Sequence, residues 1–207
     1  MKKIISIFTL VVLVYSCTKK EAKIEIYLLQ QNIQSIEGIP VIEYLKLKKM
    51  NSVIDSSKAN QLNWNYDSIK KQYIQGGKFV VKNENLQRLP LIVDADILGL
   101  NLKKSELILS DNAKKRISNL KLGRNQFAIC VNGEPVLTGY FRYNFSSVIY
   151  SWNYIGYNHN NENFQKTDTT FVIRQNPDYE NWNPILTDLT DYPKLVNAFE
   201  ETGRLKE

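Results

Sequence analysis

An Asn-Gly pair, Asn132-Gly133, stands between two apolar runs, residues 126–131 (QFAICV) and 134–141 (EPVLTGYF). A two-residue type I′ turn needs positive φ at both positions, and Asn followed by Gly meets that at least cost. The turn predicts a hairpin with Val131 opposite Glu134, Ile129 opposite Val136 and Phe127 opposite Thr138. One face would then carry Phe127, Ile129, Val131, Val136 and Tyr140, and the other Ala128, Cys130, Leu137, Gly139 and Phe141. Both faces are apolar, so the hairpin belongs inside the domain. The small-residue face suits a closely packed helix.

A helix for that place precedes the hairpin. Glu106–Leu109 has strand character, Ser110 can cap a helix, and residues 111–120 put Ala113, Ile117 and Leu120 on one stripe. Lys114, Lys115 and Arg116 form its wet face, and Gly123 marks its stop. Residues 23–31 (KIEIYLLQQ), Val41–Leu47, 78–82, 147–157 and 169–175 predict further strands. In 147–157, Val148, Tyr150, Trp152 and Tyr154 share one face, and Trp152 is a core residue of it. Tyr66, Ile69, Tyr73 and Ile74 fall at i, i+3, i+7 and i+8, which predicts a short helix stopped by Gly76-Gly77. Asp191 and Pro193 open a last helix, with Leu195, Val196 and Phe199 inward and Gly203 beyond its end. The expectation is an α+β fold: a mainly antiparallel sheet, a strand-helix-hairpin unit and a C-terminal helix, in a single domain over residues 23–207.

The chain begins MKKIISIFTLVVLVYSC. Two lysines, an apolar run too short for the ~20 residues of a spanning helix, and a small residue before Cys17 form an export signal over residues 1–16. The sequence Val14-Tyr15-Ser16-Cys17 resembles a bacterial lipobox. That resemblance implies cleavage before Cys17 and lipidation of its thiol and new amine, with residues 17–22 as the tether. More than one acyl chain gives stable anchoring, at about 0.8 kcal/mol per buried methylene. The expected location is the cell envelope, lipid-anchored at the outer membrane, with the membrane as a partner through the N-terminal lipid. The formal charge of +6 then has no nucleic acid to meet. With Cys17 lipidated, Cys130 has no disulfide partner and behaves as a small buried hydrophobe.

Reactive chemistry is sparse. The one histidine, His159, sits among asparagines, so no metal site and no cofactor are expected. A triad of Ser146 or Ser147, His159 and Asp168 lacks a nucleophile elbow. Asp94 and Asp96 form a DxD triplet, but two carboxylates make a weak cation site, and Asp96 is read as the cap of the turn at Ile97-Leu98-Gly99. Binding is the better expectation. Tyr179, Trp182 and Asn183 combine aromatic area with an amide and are the candidate surface residues.

Two resemblances bear on this. QFAICVNGEPVLTGYF, SSVIYSW and the ending YPKLVNAFEETGRLKE, with IEIYLL and PLIVDADILGLN, resemble a family of small uncharacterised lipoproteins from Bacteroidetes. Arg142, where an aromatic is common, and the insert at residues 51–87 depart from that pattern. The resemblance implies fold and location, and no activity. LILSDNAKKRI and GRNQFAICVNGEPV are similar to the first periplasmic head domain of the SecD export protein, which implies a ferredoxin-like unit over about fifty residues. Together these lead to a non-catalytic binding or accessory lipoprotein whose partner is an envelope protein, peptide or glycan. An envelope hydrolase built on carboxylates or on Ser147 with His159, and an immunity or stress-response lipoprotein, are the alternatives. Substituting Cys17→Ala is expected to abolish palmitate incorporation and to move the protein out of the membrane fraction. Retention of the label would refute the lipidation site.

Overall fold

The structure is a computed structural model and describes residues 21–48, 64–69, 71–123, 125–158, 170–176 and 183–206. In chain order the strands are β1 (Ile24–Leu28), β2 (Ile39–Pro40), β3 (Trp64–Asp67), β4 (Gln72–Gln75), β5 (Ile97–Asn101) and β6 (Glu106–Leu109). After them come β7 (Asn125–Val131), β8 (Glu134–Tyr143), β9 (Tyr154–Tyr157), β10 (Phe171–Gln175), β11 (Ile185–Leu186) and β12 (Leu205–Lys206). The helices are α1 (Val41–Leu47), α2 (Asp111–Ser118) and α3 (Pro193–Glu201). The fold thus mixes helices with a larger share of sheet.

The main sheet has the order β1-β7-β8-β9-β10-β6-β5-β12, with β11 also paired to β10; β2, β3 and β4 form a second sheet. The main sheet is mixed, which corrects the expectation of a mainly antiparallel one. β9 runs parallel to β8, and β12 runs parallel to β5. The reason lies in the connections: residues 144–153 carry the chain back to the level of Tyr140 instead of turning it in a hairpin, and parallel neighbours require such a return. Strand, helix and hairpin do follow one another as β6, α2, β7 and β8. However, β8, β9 and β10 lie between β6 and β7 in the sheet, so the connection carrying α2 spans three strands.

The Asn132-Gly133 turn is as read, with φ of 53° and 83°. Val131 pairs with Glu134 and Cys130 with Pro135, but Ile129 then pairs with Leu137, leaving Val136 as a bulge. A slip of one residue exchanges the faces of a strand. Leu137 and Phe141 therefore join Phe127 and Ile129 in the larger core. Tyr140 joins Ala128 and Cys130 in a second core. Ala113, Ile117 and Leu120 pack into the larger core, with Leu195, Ala198 and Phe199 of α3. The helix thus covers the large-residue face, not the small one. Aromatic side chains fill the space beside Ala128 and Cys130. Tyr140 stacks on Tyr150 with centroids 4.4 Å apart and meets Phe79 edge-on at 5.1 Å.

Four local expectations change. Val41–Leu47 is a helix entered from Pro40, with Val41 and Leu45 buried one turn apart; this short run satisfies both periods, and the fixed φ of Pro40 favours the helix. Tyr66 and Tyr73 lie opposite each other in the β3/β4 hairpin, not on a helix. Their rings meet edge-on at 5.2 Å, and Tyr44 stacks on Tyr66 at 3.7 Å. Residues 78–82 join no strand, although Phe79 is buried. Within 147–157 only Tyr154–Tyr157 is strand, yet Val148, Tyr150, Trp152 and Tyr154 do reach the same core.

Two capping expectations hold. The Ser110 hydroxyl accepts from the Ala113 amide at 3.1 Å, and Pro193 opens α3, beyond whose end Gly203 has a φ of 66°. Deleting Thr138, a paired residue beyond the bulge, is expected to move Tyr140 opposite Phe127 and Phe141 opposite Gln126, aiming each at the wrong core. Burial of each is worth about 1.5–3 kcal/mol, so urea unfolding should show a loss of several kcal/mol or no folded protein. An unchanged midpoint would contradict the faces given to β8.

Candidate functional site

The crossover from β8 to β9 places Trp152 at the junction of the two sheets. The Ser151 amide donates to the Gln75 carbonyl at 3.0 Å, and the Trp152 amide donates to the Gly76 carbonyl at 3.3 Å. This approach depends on Gly76, which has a φ of 53° and lies so close to the Tyr150 ring that a Cβ would overlap it. Gly76-Gly77 is thus a contact point for the crossover and not the stop of a helix.

Behind Trp152 lies a polar network. Asn153 is fully buried. Its side-chain amide donates to the Thr138 carbonyl at 3.1 Å and to the Tyr192 hydroxyl at 2.8 Å, and its oxygen accepts from the Thr187 hydroxyl at 2.9 Å. The Trp152 indole N–H donates to the Thr138 hydroxyl at 3.1 Å, and the Lys78 ammonium lies 4.9 Å from the ring centroid. The indole is half-buried and held in one orientation. Burial pushes the Tyr192 hydroxyl above the usual tyrosine range, against the lowering effect of its bond with Asn153. It therefore stays protonated at neutral pH.

Trp152 lines two clefts. The first, of about 440 Å³, is walled by Glu37, Asp67, Ile69, Gln72, Ser151 and Gln175 among others. The second, of about 450 Å³, includes Lys78, Val80, Pro135, Val136, Asp191 and Tyr192. The first is richer in hydrogen-bonding side chains and the second in apolar ones. The Glu37 carboxylate accepts the Lys78 amide at 2.7 Å, and Asp67 accepts the Ile69 amide at 2.9 Å. Both acids are thereby fixed at the rim of the first cleft.

The residues singled out by sequence are placed as follows. Cys17, His159, Asp168, Tyr179 and Trp182 lie outside the described residues. Asn183 is exposed, two residues ahead of β11. The Ser146 hydroxyl accepts the Val148 amide at 3.2 Å. Asp94 and Asp96 are structural. Asp94 accepts from the Ile24 amide at 2.7 Å and from Arg204 at 2.8 Å. Asp96 accepts the Ser110 hydroxyl at 2.6 Å and pairs with Arg116 at 2.9 Å. Instead of capping its own turn, Asp96 reaches forward to the start of α2. Among the described residues there is no group of three or more His, Cys, Asp or Glu able to hold a metal ion.

Comparison of the chain with protein-family models, with curated proteins and with solved structures gave no match.

Cys130 is buried within β7, opposite Glu25 on β1. Burial, with a smaller contribution from Glu25, pushes its thiol up to about 12. The raised value in the folded state means that this group favours folding below the unfolded thiol pKa. That contribution is lost as pH rises from about 9 toward 12. In a Cys17→Ala form, Cys130 is expected to resist a thiol reagent at pH 8 and to react once the chain is unfolded in guanidinium. Prompt labelling of the folded protein would contradict its burial.

Proposed function

We propose that this chain is a lipid-anchored envelope protein that binds and does not react, and that the groove on either side of Trp152 is its binding surface. The observation that carries this reading is the fixed, half-exposed indole between two clefts within the roughly 300–1,000 Å³ range of ligand sites. The anchor is assigned to Cys17 and the location to the outer membrane, on the signal and lipobox pattern of residues 1–17. The resemblance to small Bacteroidetes lipoproteins agrees with that location. Among the described residues no helix is long and apolar enough to cross a membrane. Tyr179, Trp182 and Asn183 are kept as proposed contacts on their aromatic and amide chemistry.

Photo-crosslinking in intact envelopes tests the surface. A benzophenone side chain at Ile69, 91% exposed, or at Val80, 58% exposed, leaves the cores intact. Both positions should give a discrete adduct. Leu122, 63% exposed beyond α2, should not. No adduct at either groove position, or equal yield at all three, would remove the groove as the binding surface.

A further inference from the structure

We infer that the first cleft takes an uncharged saccharide chain, with a sugar ring stacked on Trp152; this rests on the groove being the binding surface. A pyranose offers an apolar C–H face and a rim of hydroxyls that both donate and accept. Its counterpart is an aromatic ring of fixed orientation set among planar polar side chains. The cleft has that composition. Gln72 and Gln175 can each donate and accept, Glu37 and Asp67 accept, and Ser151 adds a hydroxyl. The indole is already oriented by its bond to Thr138, so little order has to be imposed when a ligand arrives.

Charge narrows the class. The described residues that line the first cleft include two carboxylates and no Lys or Arg. An anionic sugar would meet repulsion without a counter-charge. Lys78 lines the second cleft and not the first.

Backbone geometry sets a peptide at a disadvantage. Strand addition is the usual way an extended peptide gains affinity from a sheet edge. Here the β4 edge is engaged at Gln75 and Gly76 by the amides of Ser151 and Trp152. A saccharide needs no backbone ladder and loses nothing by this.

The test is retention of the folded, soluble Cys17→Ala protein on an array holding neutral, uronate-containing and sulfated glycans, with a tetrapeptide library printed beside them. Neutral glycans are expected to be retained over the acidic ones. Trp152→Ala should weaken retention about tenfold or more, as expected for loss of one ring stack. Trp152→Phe should restore most of it. Because Trp152→Ala can disturb packing, Ile69→Arg serves as a second variant. Its site is 91% exposed, so its melting temperature should be unchanged while retention falls. The inference is overturned if no neutral glycan is retained, if acidic glycans or peptides are preferred, or if retention survives both Trp152→Ala and Ile69→Arg. A groove adduct in envelopes combined with a silent glycan array would keep the binding surface and discard the saccharide.

Discussion

The extra residue at Val136 is the constraint on which the rest of the molecule depends. β7 and β8 lie inside the main sheet and are apolar on both faces, so each face needs its own cover. Without the bulge, β8 would send Leu137 and Phe141 to the side occupied by Ala128 and Cys130, and Tyr140 to the side of Phe127. With it, four large side chains from the hairpin meet α2 and α3 in one core. Tyr140 stands among small residues, where Phe79 and Tyr150 can close around it. The Tyr140 hydroxyl then donates to the Gly77 carbonyl at 2.9 Å. One strand thus sorts its side chains between a helix-covered core and an aromatic core capped by irregular chain.

The ends of the domain are fastened separately from the hairpin. Asp94 receives the first amide of β1 and the guanidinium of Arg204, residues remote from it in sequence on both sides. Two residues on, Asp96 holds the cap residue of α2 and Arg116 of the same helix. These carboxylates are partly exposed, so their energetic contribution is modest. Their larger effect is positional: one turn fixes where the first strand begins, where the last strand begins and where the helix starts.

How much of this was legible follows from where the information resides. The turn at Asn132-Gly133, the cap at Ser110 and the Pro193 start are local chemistry, and each can be read from a few adjacent residues. The bulge is not local. Nothing in EPVLTG marks Val136 as the unpaired residue; it follows from having to serve two cores at once. The same holds for Tyr66 and Tyr73, whose spacing fits a helix until Tyr44 supplies a stacking partner across the small sheet. Asp96 reads as the cap of its own turn because its actual partners, Ser110 and Arg116, are remote in sequence. Parallel pairing of β9 with β8 was likewise hidden, since residues 144–153 carry no signal separating a crossover from a strand.

Trp152 shows how one side chain can pack against a core and still stand half-exposed. Its alternation with Val148, Tyr150 and Tyr154 correctly indicated a shared apolar side, and burial of its neighbours bears that out. Alternation could not show that the strand begins only at Tyr154, which leaves the indole at the rim where the crossover meets β4. What holds it there is a buried amide, Asn153, whose side chain reaches Thr138, Tyr192 and Thr187. A buried amide with unmet hydrogen bonds would be costly, so these partners must stay in place together. Thr138 in turn receives the indole N–H. The residues that satisfy Asn153 and those that aim Trp152 are therefore partly the same, and the ring gains its orientation from interactions the interior requires in any case.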